Sequence, residues 1–365
     1  MTRTHVFDGE RLRLARVALG LTLDDLGCRV SATRQYLNQL EQGSKIPTGE
    51  MVEAIAAALG VTARFFSLAV RDMVQPEQCH FRKQRTTPIS VVSQVLARGT
   101  LLDSFLGRLD RELELPAVSF PNLSASTASE IEEAAEEARR HWKLGSGPIS
   151  SMMRVVENAG AVVSFFGGVS ERVDALSIDR PRPLIIRNEA KPAACRLRFD
   201  LAHECGHLVM HRGIETGDKI TEDQANRFAS AFLLPMSSFI HEFPRSRFLN
   251  WTMIFEMKLR WKVSAAAILR RAYDLRIISA DQYRTGCIHL SKTGQKKVEL
   301  HDNDIPAEEP ELLPAAMQAL EGAFPGSIQR IAEDIGLEAE MFASVSGLSL
   351  PSPAPVPSNV VKLFS

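Results

Sequence analysis

The stretch LAHECGHLVMH at residues 201 to 211 constrains this chain more than any other. It places His203, His207 and His211 at four-residue spacing, with Glu204 directly after the first. On a helix, residues i and i+4 lie one above the other, so the imidazoles of His203 and His207 can reach a single ion at ligand distances of about 2 Å. Glu204 then projects beside that ion and can take a proton from a water whose pKa the ion has lowered. This is an arrangement for adding water to a peptide carbonyl. His211 continues the same face, but at i+8 it stands about 12 Å from His203 for a rise of ~1.5 Å per residue, so it is expected to be structural or to line the cleft. A metzincin would need a histidine where this chain has Gly213, which excludes that version. Cys205 turns away from the metal face and is expected to be a buried apolar residue.

A tetrahedral catalytic site needs a third protein ligand. The next helix, TEDQANRFASAFLL at 221 to 234, offers one. Thr221 and Gln224 suit a capping box, and Ala225, Phe228, Ala229, Phe232 and Leu233 form an apolar stripe that Glu222 extends at its first turn. A carboxylate at the end of a buried face needs a partner, and a metal on the adjacent helix supplies one. Asn226, four residues on, can hydrogen-bond a ligand from behind. The competing reading is a histidine-rich surface helix beside an N-terminal carboxylate favoured by the helix dipole.

The remaining composition decides less. At 365 residues and 45% hydrophobic, the chain has room for two or three cores. Lys+Arg 43 against Asp+Glu 44 leaves a formal charge of −1, so any DNA contact must come from a local patch. No apolar signal core opens the sequence and no apolar run is long enough for a bilayer, which points to a soluble cytoplasmic protein with no membrane partner. Cys28, Cys79, Cys195, Cys205 and Cys287 form no C-x-x-C pair, which fits a reducing compartment.

The expected class is mainly α with a small β-sheet (α+β). Residues 1–69 read as an all-α helix-turn-helix domain and 70–115 as a helical connector. LPAVSFPNLSAS at 115 to 126 marks the clearest boundary. Residues 116–245 read as the domain carrying the histidine helix, opened by a helix with a Ser129/Glu132 capping box. Residues 246–285 read as a helical pair packed on it, 286–350 as a C-terminal region of unknown role with a hairpin near 288 to 300, and 351–365 as a disordered tail. LRWKVSAAAILRRAYDLRIIS at 259 to 279 also has a helix–cap–helix form, but its second helix is apolar on most sides, which favours packing over a second DNA reader.

Near the N-terminus, TLDDLGCRV-SAT-RQYLNQLEQG fits a helix, a short turn and a recognition helix. Thr33 is a natural N-cap for the second helix, leaving Arg34, Gln35 and Asn38 exposed while Leu37 and Leu40 turn to the core. Arg, Gln and Asn are suited to base edges, so Thr33, Arg34, Gln35 and Asn38 are the candidate DNA contacts. Arg82, Lys83 and Arg85 are candidates for phosphate contact or for a solvated face.

Two resemblances add to this. Residues 8 to 69 resemble the XRE, or phage-repressor-like, family, in which Arg16 and Glu41 match positions that pair internally and Ser31 stands where the turn often has glycine. RLRFDLAHECGHLVMH followed by ITEDQANRFASAFLLP resembles the ImmA/IrrE family of zinc metallopeptidases, with Glu222, Ala225, Asn226, Phe228, Ala229, Leu233, Leu234 and Pro235 matching its second signature. The resemblance implies a zincin-like domain with Zn2+ held by His203, His207 and Glu222, Glu204 as base, and a protein substrate such as a repressor. Cys205 departs from the usual leucine, isoleucine or alanine.

The leading expectation is a homodimeric, operator-binding transcriptional regulator with an HExxH zinc metallo-endopeptidase domain that cleaves, or is controlled through, a protein partner. The alternative is a non-catalytic transcription factor whose metallopeptidase-like domain senses a ligand or partner. A third reading, a protease whose helix-turn-helix only docks proteins, predicts no sequence-specific DNA binding.

Overall fold

Short polar side chains cap most helix starts in the computed structural model, which describes residues 7–68, 72–81, 88–166, 175–188, 194–214 and 216–351. In chain order the first elements are α1 (Gly9–Ala18), α2 (Leu23–Val30), α3 (Arg34–Glu41), α4 (Gly49–Leu59), β1 (Cys79–Phe81), α5 (Ile89–Glu112), α6 (Ala128–His141), α7 (Met152–Asn158), β2 (Val162–Phe166), β3 (Ala175–Ile178) and β4 (Leu184–Asn188). After these come α8 (Ala194–Met210), α9 (Lys219–Leu233), α10 (Met236–Glu242), α11 (Trp251–Trp261), α12 (Ala265–Asp274), α13 (Ala280–Lys292), α14 (Leu312–Ala323), α15 (Ser327–Ile335) and α16 (Ala339–Ser346). Among the described residues helices dominate around one small sheet, which is the α+β class.

Packing divides the chain differently from the contiguous segments expected at 70–115 and 286–350. One unit combines Met1–Val74, Pro88–Leu115 and Leu313–Ser365; the other combines Gln75–Thr87 and Pro116–Leu312. Side-chain partners rather than sequence order decide the division. In the first unit, Arg98 on α5 donates to the Ala18 carbonyl at 2.8 Å, and Phe105 meets Phe342 of α16 edge-on at 4.9 Å. The Thr62 amide donates to the Gly336 carbonyl and the Glu338 amide to that of Gly60, both at 3.0 Å, around an antiparallel bridge of Val61 with Leu337. α5 is long and apolar enough to cross a membrane by composition, but Leu102, Phe105 and Leu109 are fully buried among these helices, as in a core helix.

Within that unit the helix-turn-helix forms as the residues dictate. Thr22 and Asp25 make a reciprocal capping box at the start of α2. The turn passes through Ser31 at φ 54°, and Thr33 caps α3 by accepting the Tyr36 amide at 3.2 Å. Gly27 is required here, because a Cβ would sit 2.6 Å from the Ala32 carbonyl oxygen. Arg16 and Glu41 pair at 2.6 Å, joining α1 to α3.

In the second unit the strand order is β1-β3-β4-β2, with β2 and β4 parallel and the other pairs antiparallel. Phe228, Phe232, Trp261, Ile268 and Leu269 share one core with α6 and α8, so α11 and α12 form a packed pair rather than an exposed reader. Arg271 reinforces this, with its guanidinium buried on Glu132 at 2.5 Å and on the Leu234 carbonyl at 2.9 Å.

Three local expectations are corrected. The α6 capping box uses Thr127 and Glu130, not Ser129 and Glu132. α9 begins earlier than expected, capped by Asp218, which accepts the Ile220 and Thr221 amides at 2.7 and 2.9 Å; Thr221 is therefore already inside the helix. In place of the hairpin near 288 to 300, α13 runs to Lys292 and the following turns carry two carboxylates inward. Glu299 accepts the Ala265 and Ala266 amides at the start of α12, and with Asp302 it neutralises the fully buried Lys258 at 2.9 and 2.5 Å. A buried ammonium needs such partners, and these two carboxylates supply them. The tail 352–365 and the basic residues Arg82, Lys83 and Arg85 lie outside the described residues.

Candidate metal centre and DNA-reading helix

α8 is buried almost all round. One turn before the histidines, Asp200 meets Arg187 of β4 in a buried pair at 3.2 Å, which fixes the helix against the sheet. Gly206 lets α9 approach, since a Cβ there would stand 2.9 Å from the Phe228 ring. That closeness brings Glu222, in the first turn of α9, to the histidines.

His203, His207 and Glu222 present one ligand atom each, all within 4.8 Å of one another. The two histidine Nε2 atoms are 3.1 Å apart, and they stand 3.4 and 3.5 Å from the Glu222 oxygens. Asn226 falls where expected, its Oδ1 at 3.0 Å from His203 Nδ1.

Proton placement follows along a chain of hydrogen bonds. Gln224 donates to the Ser126 carbonyl, so its Oε1 accepts the His211 Nε2–H at 2.9 Å. His211 Nδ1 is then the acceptor for His207 Nδ1–H at 2.9 Å, and the His207 Nε2 lone pair is left facing Glu222. His211 thus stands outside this group and hydrogen-bonds to one of its members. Burial holds His207 and His211 below the usual imidazole range, so both are neutral, with His207 down to about 4.

Glu204 is fully buried. Its Oε2 accepts from the Ser177 hydroxyl of β3 at 2.6 Å, while its Oε1 has no hydrogen-bond partner among the described residues. Burial pushes the carboxyl up to about 7, against the pull of His203 and the Ser177 hydroxyl. Cys205 is also fully buried, its thiol pushed up by burial.

Two residues of this site escape sequence reasoning. Ser177 donates to Glu204, and His80 of β1, only 1% exposed, lays its ring parallel to that of His207 with centroids 5.0 Å apart. His80 Nδ1 meets the Thr216 hydroxyl at 2.9 Å, and its Nε2 has no partner among the described residues. A lone histidine in a connector carries no spacing signal that would have found it.

At α3 the arrangement is open. Arg34 and Gln35 are exposed, Asn38 is half-buried, and Leu37 and Leu40 are fully buried. Arg34 meets Asp24 at 3.3 Å, with the two side chains 70% and 64% exposed. The Thr33 hydroxyl serves as the cap.

An HExxH helix facing a glutamate helix, in a chain that also carries a helix-turn-helix, defines a regulator of metallopeptidase-like type. Residues 156–273 match the peptidase M78 family, described as the IrrE N-terminal-like domain, and residues 9–64 match a helix-turn-helix domain. The chain is a fusion of a helix-turn-helix domain with an ImmA/IrrE-type peptidase domain. No curated protein sequence matches it.

Proposed function

We propose that the chain is a cytoplasmic, homodimeric transcriptional regulator that binds operator DNA through α3 and hydrolyses a peptide bond in a protein partner, such as a repressor, with a zinc-dependent centre. One observation carries the catalytic half: three donor atoms spaced 3.1 to 3.5 Å apart beside a buried carboxyl with one unpartnered oxygen. Two ligands of a tetrahedral zinc at about 2.0 Å are separated by about 3.3 Å, so the donor set fits that ion. A bound zinc ion would supply Lewis acidity, polarising a scissile carbonyl and acidifying water.

The chain's own groups do the rest. His203 and His207 turn their Nε2 atoms inward, held so by Asn226 and by the His211–Gln224 pair. Glu204 takes the proton of the attacking water at Oε1 while Ser177 holds Oε2. As water adds to the carbonyl carbon and the C–N bond breaks, Glu204 returns that proton to the leaving nitrogen. At α3, Arg34, Gln35 and Asn38 supply the base contacts, and Thr33 fixes the helix start from which they project.

Metal content of the purified chain, measured by mass spectrometry beside His203→Ala and Glu222→Ala, tests the centre. About one zinc per chain, lost in both variants, is expected for a three-ligand site. Protein that takes up none on adding zinc would sink the proposal. The second reading, a non-catalytic sensor, draws on the complete burial of His203, Glu204 and His207. Glu204→Gln separates the two, since a sensor keeps its cellular response without the base.

A further inference from the structure

The buried centre raises a question of access, and β1 answers it. β1 is three residues long and pairs antiparallel with β3, with His80 opposite Ser177. Directly opposed residues project from the same face of a sheet, so His80 and Ser177 both face α8. Ser177 holds Glu204, and His80 covers His207. The edge of β3 that β1 fills is therefore the edge along which an extended peptide would have to lie for its carbonyl to come between Glu204 and the histidines. Peptides commonly dock by adding a strand to such an edge, using main-chain hydrogen bonds. The strand that fills it here comes from residues 79–81, outside the 156–273 segment that matches the peptidase family.

We propose that the outer edge of β3 is the peptide-docking edge of the peptidase domain, and that residues 79–81 occupy it in cis as a displaceable strap that closes the centre. This rests on the metallopeptidase reading for its purpose, but not for its geometry. The strap is built to be weak. Three residues is the short end for a strand, and His80 carries a buried Nε2 without a partner among the described residues. A tether compensates, because a segment of the same chain competes at an effective concentration of about millimolar. A protein substrate that also binds beyond one strand displaces it readily, whereas a loose peptide does so only in excess over that concentration.

The test uses the full chain and the heptapeptide QPEQSHF, residues 75 to 81 with serine for the cysteine. By fluorescence anisotropy, His80→Gly should bind the labelled peptide about tenfold or more tighter than wild type, because the competing cis strand is weakened. Equal binding by a folded His80→Gly chain overturns the proposal, as does no binding. If that variant does not fold, the wild-type chain gives the answer through its own thiols. Cys79 on the strap and Cys205 on α8 are both buried. Excess peptide should speed alkylation of Cys79 by iodoacetamide while Cys205 stays protected, and an unchanged Cys79 rate overturns the proposal. Both measurements are made on metal-free protein and repeated with zinc. Failure of the metallopeptidase reading appears as no zinc uptake with peptide exchange intact, whereas failure of the strap appears as no peptide effect whatever the zinc content.

Discussion

α3 and α8 are two polar-bearing helices that treat their polar groups in opposite ways. On α3, Arg34 is 70% exposed and pairs with Asp24, itself 64% exposed. An exposed pair of this kind is worth little, so the guanidinium is free to exchange it for a base edge. On α8, His203, Glu204 and His207 are fully buried, and each has one polar atom engaged from behind: His203 by Asn226, His207 by His211, Glu204 by Ser177. What faces inward is a pair of Nε2 atoms turned toward each other and Glu222, and one Glu204 oxygen without a hydrogen-bond partner among the described residues. On the proposed reading, α3 keeps its hydrogen-bonding capacity in water as a base reader would, and α8 ties down all but the atoms that would react.

The largest effect should come from removing the basicity of that last oxygen. Glu204→Gln keeps the shape and the Ser177 contact but cannot take a proton, so turnover should fall about 10²- to 10⁴-fold with zinc binding retained. Comparing new protein termini in cells that express either form checks this, and equal termini would place α8 beside α3 as a binding element only. His211→Ala comes next. It leaves all three proposed ligands in place but frees His207 to turn, and metal affinity should drop about 10- to 100-fold, measured by chelator competition. An unchanged affinity would mean that the Gln224–His211–His207 chain is packing and not orientation.

The same contrast explains what the sequence reveals. His203, Glu204, His207, Glu222 and Asn226 are legible because their chemistry is repeated at helical spacing within two adjacent segments. Thr33, Leu37 and Leu40 are legible for the same reason, since a cap and an apolar stripe are local. Ser177, His80 and the Arg187–Asp200 pair are not, because only strand pairing and the packing of the sheet on α8 bring them in. Glu299 and Asp302 mislead for a related reason: alternating polar and apolar residues near them suggest a hairpin, while the buried Lys258 far along the chain decides where they go. The start of α9 is a finer case, where Asp218 caps before Thr221 because its carboxylate reaches two amides instead of one.

At α3 the expected signature is loss of recognition without loss of fold. Arg34→Ala with Gln35→Ala removes two exposed side chains, so stability should change by no more than about 0.5 kcal/mol. Specific operator binding should weaken by about 1 to 3 kcal/mol for each base-reading side chain removed, read as a vanished footprint at fixed salt. A footprint that persists would break the comparison from the other side, making α3 a docking surface.

The smallest expected effect is at the turn between α2 and α3. Ser31 is in the left-handed region at φ 54° and ψ 39°, closing α2 with its amide donating to the Gly27 carbonyl. A side chain there brings Cβ against the backbone, a cost of about 1 kcal/mol that glycine avoids. Glycine gives back part of that gain through its greater freedom in the unfolded chain. Ser31→Gly should therefore raise the stability of the helix-turn-helix unit by a net amount of about 0.5 kcal/mol or less, seen as a small upward shift in its denaturant midpoint. Operator affinity should not change, because Ser31 neither caps α3 nor shares its exposed face. If affinity falls instead, the angle set by this turn is itself part of recognition, and the openness of α3 depends on a strained residue in the way that the burial of α8 depends on Gly206.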